Sequence, residues 1–329
     1  MTSRERIYAT LDFQGPDRIP VDLWALPAAF IGRADAVRAI TGRYPSDLCG
    51  IPFNNNFQID CYPRGTSVDA WGCEWLTLKE GLIGEVKRAP FGEGYDAMTG
   101  YAWPRRAQAP DWEAQVAATL APREKFSVVW AGDPFERMQF LRGSENLYAD
   151  LADDECDGVD ELRDRVTGLI RENVELLVRT GVDAIQFSDD WGSQRSLLIR
   201  PQRWREFFKP AYKELCDLVL DAGKRIFFHS DGYIVDIYPD LIELGVGALN
   251  SQVWCMGLDT LAPFAGQITF WGEMDRQHLL PHGTPAEIRA AAAQMRQALY
   301  QNGGLIGQGE IDDLTSLGNI EALLDGWNA

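Results

Sequence analysis

Long apolar runs are missing from this chain: no window approaches the roughly eighteen consecutive apolar residues of a membrane-spanning helix. The N-terminal MTSRERIYATL is charged and amphipathic and lacks the apolar centre of a signal peptide, so the chain reads as cytoplasmic, with no membrane partner. Clusters of basic residues are missing as well. With 49 acidic against 31 basic side chains the formal charge is −18, which argues against neutralising a phosphate backbone and so against nucleic acid as a partner. The six cysteines (Cys49, Cys61, Cys73, Cys156, Cys216, Cys255) show no CxxC spacing. That pattern suggests neither a disulfide framework nor a zinc ribbon, and most of them read as small buried apolar residues. Histidine is scarce, with three in 329 residues.

What is present is an ordinary globular composition, 46% hydrophobic and 24% charged, long enough for one large domain or two small ones. No linker stands out, so residues 1–329 read as a single domain. From about residue 125 onward short β-branched or aromatic runs recur: FSVVWAG (126–132), DAIQFSDD (183–190), RIFFHSDG (225–232), GALNSQV (247–253), QITFWGEMD (267–275) and GGLIGQGE (303–310). Helical periodicity fills most of the intervals, most clearly over 159–181 and 284–303. The latter has Thr284 to cap it, Pro285 at its first position and Gly303 at its end. Strands alternating with long helices predict βαβ units and a parallel sheet.

Each apolar run ends in polar groups: Asp189 and Asp190, His229 and Asp231, Asn250 and Gln252, Glu273 and Asp275, Glu310. Parallel barrels build their sites from those C-terminal ends, so the pattern favours an α/β (β/α)8 TIM barrel. A doubly wound sheet is the alternative, but its G-x-G-x-x-G turn is absent. Before residue 125 a strand is expected over Ile19–Leu23, and residues 68–91 alternate like a β-hairpin, an N-terminal excursion decorating the barrel.

His229 and Asp231 stand two apart, so on an extended strand end they share a face and could share one metal ion, with Glu310 as third ligand and an open fourth position. A histidine that merely orders a loop across the barrel mouth is the bland alternative. Consecutive residues diverge, so one of Asp189 and Asp190 faces the basin while the other caps a helix, unless both are caps. Glu273 or Asp275 could be a general acid, a substrate anchor or a support for His229. Trp24, Trp130, Trp191, Trp254 and Trp271, among eleven tryptophans, could wall a pocket or belong to the core. His278 and His282 read as surface residues.

At this point the stretches DFQGPDRIPVDLW, DAWGCEW with GLIGEVKRAPF, DAIQFSDDWGSQRSLLIRPQRWREFFKPAYKEL, FFHSDGYIVDIYPDLIELGVGALN and FWGEMDRQHLLPHGTPAEI together resemble the uroporphyrinogen decarboxylase superfamily. The resemblance implies a (β/α)8 barrel and one of two activities: cofactor-free decarboxylation of uroporphyrinogen, or methyl transfer by zinc enzymes that work with a corrinoid protein. The decarboxylases hold their many carboxylates with an arginine-rich motif resembling MRQAGR. The matching stretch here is VDLWALPAAF, with no arginine between Arg18 and Arg33, which disfavours uroporphyrinogen as substrate.

The methyltransferase branch holds zinc with an H-x-C motif and a later cysteine. Here His229 matches, but Asp231 stands where the first cysteine would be, and Gly309 and Glu310 replace the later thiol. A harder ligand set leaves a more Lewis-acidic ion, better suited to polarising an oxygen than to activating a thiol. The resemblance, so modified, implies a zinc-dependent demethylase moving a methyl group from a small methoxylated or methylated substrate to cobalamin on a separate corrinoid protein. Zinc would sit on His229, Asp231 and Glu310. Asp190 and Glu273 would be catalytic acids or proton relays, and Trp24, Asp189, Trp191, Asn250 and Trp271 would bind substrate. The expected partners are a small-molecule methyl donor and the corrinoid protein, with a homodimer as an option. A metal-free decarboxylase of the uroporphyrinogen type is the alternative.

Overall fold

The computed structural model describes residues 1–57, 61–153 and 156–328. Among the described residues the strands, in chain order, are β1 (Trp24–Ala25), β2 (Leu48–Cys49), β3 (Gly65–Val68), β4 (Glu74–Thr77), β5 (Glu85–Arg88), β6 (Phe126–Gly132), β7 (Ala184–Ser188), β8 (Arg225–Ser230), β9 (Val246–Ser251), β10 (Thr269–Glu273), β11 (Leu305–Gln308) and β12 (Glu310–Ile311). Seven of them form one parallel sheet in the order β11-β10-β9-β8-β7-β6-β2. The two edges of that sheet meet on the segment leading into β1. On one side the Asp22 N–H donates to the Gly307 carbonyl (2.9 Å) and β1 continues beside β12; on the other the Asp47 N–H donates to the Val21 carbonyl (2.9 Å). Eight parallel chain segments thus close on themselves as a (β/α)8 barrel, whose sheet has no open edge among the described residues.

The strand period of two sorts the side chains into two layers. Phe126, Val128, Ala184, Phe227, Ala248, Trp271 and Ile306 fill the barrel interior, joined from below by Ile7 and Leu11 of α1 (Ser3–Leu11). Their alternating neighbours, such as Ile185, Phe228, Leu249, Phe270 and Leu305, pack outward against the helices. The helix over Pro285–Leu299 starts as its sequence predicts: Thr284 accepts the Glu287 N–H, and Glu287 reaches back to the Thr284 N–H. At the N-terminal end of the barrel two buried aspartates are paired with arginines. Asp183 meets Arg4 at 2.7 Å, and Asp47 meets both Arg6 (2.7 Å) and Arg18 (2.8 Å).

Two expectations change in detail. The strand expected over Ile19–Leu23 is pleated only at Trp24–Ala25, with Val21 bridging to Gly307, although backbone bonds to Gly307, Gly309 and Ile311 run along the whole stretch from Asp22 to Leu26. The expected hairpin over 68–91 is a three-stranded antiparallel sheet of β3, β4 and β5. The extra strand, Gly65–Val68, is mostly exposed, so it carries none of the apolar alternation by which a strand is read.

Candidate metal and substrate site

Two loops at the C-terminal end of the barrel decide the site, those following β7 and β8. They cross at a pair of glycines: a Cβ on Gly232, whose φ is +79°, would lie 2.1 Å from the Gly192 carbonyl oxygen, and a Cβ on Gly192 would lie 2.4 Å from the Tyr233 nitrogen. Only glycine permits that approach. The crossing is pinned by the Gly192 N–H on the Asp231 carbonyl (3.1 Å) and by the Asp231 N–H on Asp190 Oδ1 (2.9 Å). Asp190 and Asp231, far apart in sequence, are thereby held side by side.

His229 stands between them. Its side chain points inward because it follows Phe227 by two residues on β8, and its Nε2 lies 3.3 Å from Asp190 Oδ1 and 3.9 Å from Asp231 Oδ1. On the far side of the ring Nδ1 lies 2.6 Å from Asn250 Oδ1, while Asn250 Nδ2 donates to the Trp271 carbonyl (2.8 Å). That second bond fixes the amide, so Asn250 presents its oxygen and Nδ1 is the donor. Nε2 is then the nitrogen free to accept a proton or a metal. The ligand atoms of Asp190, His229 and Asp231 all fall within 4.8 Å of one another, the one such group among the described residues. Burial works against a charged imidazole here, but the hydrogen bond to Asp190 and the negative charge of Asp231 outweigh it and push the ring up to about 10. Burial likewise opposes the Asp190 carboxylate, and the bond to His229 wins, holding Asp190 below its ordinary range.

Arg276 closes the other half of the site. Its guanidinium bonds Asp231, lies 2.8 Å from Glu273 Oε1 and lies 2.6 Å from Glu310 Oε1. One cation therefore faces three carboxylates. Glu273, 3% exposed, is pushed up to about 8 chiefly by burial, with Arg276 opposing and Asp231 and Glu310 adding to the rise. Asp231 is raised for the same reason, burial first, and its Oδ1 is buried without a hydrogen-bond partner.

The residues expected at the site divide into three groups. Asp190, His229, Asp231 and Asn250 converge as described, and Trp24 packs its ring 5.2 Å from His229 and 5.2 Å from Trp271. Glu273 and Glu310 reach the same mouth but are held by Arg276. Asp189 and Trp191 lie behind the barrel wall. Asp189 is fully buried and accepts the N–H groups of Phe135 (3.0 Å) and Glu136 (2.7 Å) and the Tyr212 hydroxyl. It caps the helix over Pro134–Arg142, which follows the neighbouring strand, and not the next helix in sequence. Trp191 is also fully buried, stacked on Phe135 with centroids 4.0 Å apart. Asp275 accepts the N–H groups of Gln277 and His278 (2.9 Å each) and so shapes the loop after β10.

Two acids at this mouth escaped the sequence reading. Asp133 and Glu136 follow β6 and line, with Asp190, a cavity of about 1400 Å³ between the barrel mouth and the β3-β4-β5 sheet. The signal was available: FSVVWAGDPFE ends its apolar run in acids as the later strands do.

Comparison with known proteins agrees with this fold. The uroporphyrinogen decarboxylase (URO-D) family matches residues 115–323, well over half of the chain, and the protein belongs to that family. No curated protein matches the chain significantly. Among solved structures, a methyltransferase from Methanosarcina mazei superposes with a TM-score of 0.71 at 17% identity, covering 99% of this chain and 98% of that one. At that identity the likeness is one of fold. A β-(1,4)-mannanase from Podospora anserina (TM-score 0.49, 13% identity, 100% and 65% covered) and a chitinase from Chromobacterium violaceum (0.43, 10%, 93% and 98%) are also similar. Among the described residues no helix is long and apolar enough to cross a membrane.

Proposed function

We propose that the protein is a metal-dependent methyltransferase that takes a methyl group from a small methoxylated or methylated molecule and passes it to a corrinoid on a separate protein, residues 1–329 acting as one barrel. The observation that carries the reading is the convergence of Asp190, His229 and Asp231 at the mouth of a URO-D barrel, in a chain whose fold superposes on a methyltransferase.

The residues present fit a zinc ion. One imidazole nitrogen with its tautomer set from behind, and two carboxylates of which one keeps a buried, unpartnered oxygen, make a three-ligand set that leaves a position open. A zinc ion so held supplies Lewis acidity to whatever occupies that position. Everything else falls to the chain. Asn250 orients the ring, and Arg276 balances Asp231, Glu273 and Glu310 so that the site does not carry their full repulsion. Glu273 retains a proton near neutrality and can give it to the departing heteroatom, and Trp24, packed on the buried Trp271, bounds the apolar side. Glu310 would join the ligand set only on leaving Arg276.

The same residues support a second reading. With His229 protonated between Asp190 and Asp231 and Arg276 among Asp231, Glu273 and Glu310, the cluster is also a coupled set of acids and bases that could act without a metal. Elemental analysis of the purified protein beside His229→Ala, Asp190→Ala and Glu310→Ala separates the two. Near-stoichiometric zinc, lost in the first two variants, supports the methyltransferase. Its absence after incubation with zinc sinks that reading, and its loss in Glu310→Ala would make Glu310 a ligand.

A further inference from the structure

The cavity beside the metal cluster has a chemical character of its own. Its charged lining residues include Lys87, Arg88 and Arg142, and each of these is already paired: Lys87 with Glu85 (2.5 Å), Arg88 with Glu74, and Arg142 with Asp150 (2.7 Å). The acids at its inner end are not. Asp133 and Glu136 lie against each other and near Asp190, and burial before anything else raises both, Asp133 to about 7 and Glu136 well above the ordinary carboxylate range.

Asp133 stands at the N-cap of the helix over Pro134–Arg142, where an aspartate ordinarily accepts the first free N–H groups. It makes no such bond. Asp189 has taken those groups from behind, through the Phe135 and Glu136 amides. Relieved of capping, the Asp133 side chain lines the cavity at 3% exposure, and its Oδ1 is buried with no partner. Arg137, whose charge opposes the rise of both acids, is itself held by Asp69 (3.2 Å) and the Phe57 carbonyl (2.9 Å). Around the two acids the wall is aromatic, with Phe57, Tyr62, Trp130 and Phe140. Among the described residues Asp133 and Glu136 join no group tight enough to share one metal ion. Buried acids that an arriving cation would draw into their charged form, beside aromatic side chains and in a space far larger than an ion, offer the recognition chemistry of an organic ammonium group.

We propose that this cavity binds a positively charged, N-methylated ammonium compound, its charge facing Asp133 and Glu136. Resting on the methyltransferase reading, this makes the methyl donor an amine and not a neutral methoxylated compound. Such a ligand supplies the counter-charge that the buried pair lacks, whereas an anionic methoxylated acid would meet Asp133, Glu136 and Asp190 together.

Calorimetric titration of the full-length protein with choline, with tetramethylammonium and with 3,3-dimethylbutan-1-ol, the uncharged analogue of choline, tests the idea. Saturable choline binding is expected, weakened by about tenfold or more on replacing the charged nitrogen by carbon. A similar loss is expected in Asp133→Asn and in Glu136→Gln, each with unchanged zinc content. Glu136→Gln also serves if the buried Asp133 variant fails to fold. Equal binding of the uncharged analogue, full choline affinity in the two variants, or no saturable binding of either ammonium would overturn the proposal. His229→Ala distinguishes the two readings, since it should lose metal and methyl transfer while keeping choline affinity.

Discussion

The two ends of the barrel handle buried charge in opposite ways. At the N-terminal end the two buried aspartates each have a cation at bonding distance: Asp183 has Arg4, with the Tyr8 and Ser127 hydroxyls besides, and Asp47 has Arg6 and Arg18. Burial opposes ionisation of both, yet those bonds hold Asp47 and Asp183 below their ordinary range. At the C-terminal end Asp133, Glu136, Asp231 and Glu273 are raised, and oxygens of Asp133 and Asp231 are buried with nothing to bond. The first arrangement stabilises the fold and is complete. The second stores unfavourable electrostatics that a ligand can relieve, which is how a functional site differs from a structural one built of the same residue types.

The largest effect should come from the complete end. Asp183→Ala leaves Arg4 and Ser127 without their acceptor and should cost about 3–5 kcal/mol, read by urea denaturation; a cost under about 1 kcal/mol would erase the contrast between the ends. Next, Gly232→Ala forces the two crossing loops apart and should cost about 1–3 kcal/mol while lowering zinc content, since it separates Asp190 from Asp231. Retained zinc would show that the crossing does not position them. Asn250→Leu removes the acceptor behind His229 and should weaken zinc binding about 10–100-fold with little change in melting temperature, measured by competition with a chelator.

A pH-dependent effect concerns Glu273 in metal-free protein. An acid whose pKa is raised on folding, here from about 4.5 to about 8, binds more protons folded than unfolded, so stability is full below the lower value and is lost as pH rises towards the upper one. Glu273→Gln should therefore unfold at nearly the wild-type denaturant midpoint at pH 5 and at a higher one at pH 8. A difference that does not grow with pH would place Glu273 among the well-paired carboxylates.

Much of this molecule could be read along the chain. The run FSVVWAG is β6 in full, RIFFHSDG and QITFWGEMD contain β8 and β10, and GALNSQV covers β9 except its first residue, Val246, because buried parallel strands are continuous apolar runs and end where polar side chains begin. The placing of His229 at the barrel mouth came from the same rule. The choice between Asp189 and Asp190 did not. Both are aspartates at a strand end, and only the outward packing of Tyr212 and of the helix over Pro134–Arg142 makes one a cap and leaves the other at the mouth.

Trp191 and Arg276 teach the same lesson from opposite directions. Beside two aspartates Trp191 looks like a pocket wall, yet it is consumed by stacking on Phe135, a partner more than fifty positions away. Arg276 sits in a loop without pattern, yet it meets Asp231, Glu273 and Glu310 from three different strand ends. Local order, burial and the face on which each strand residue points follow from periodicities of two and 3.6, which are properties of consecutive residues. Which carboxylate meets a cation, which meets a helix end and which is left open depends on groups brought together by barrel closure, and no spacing along the chain records that.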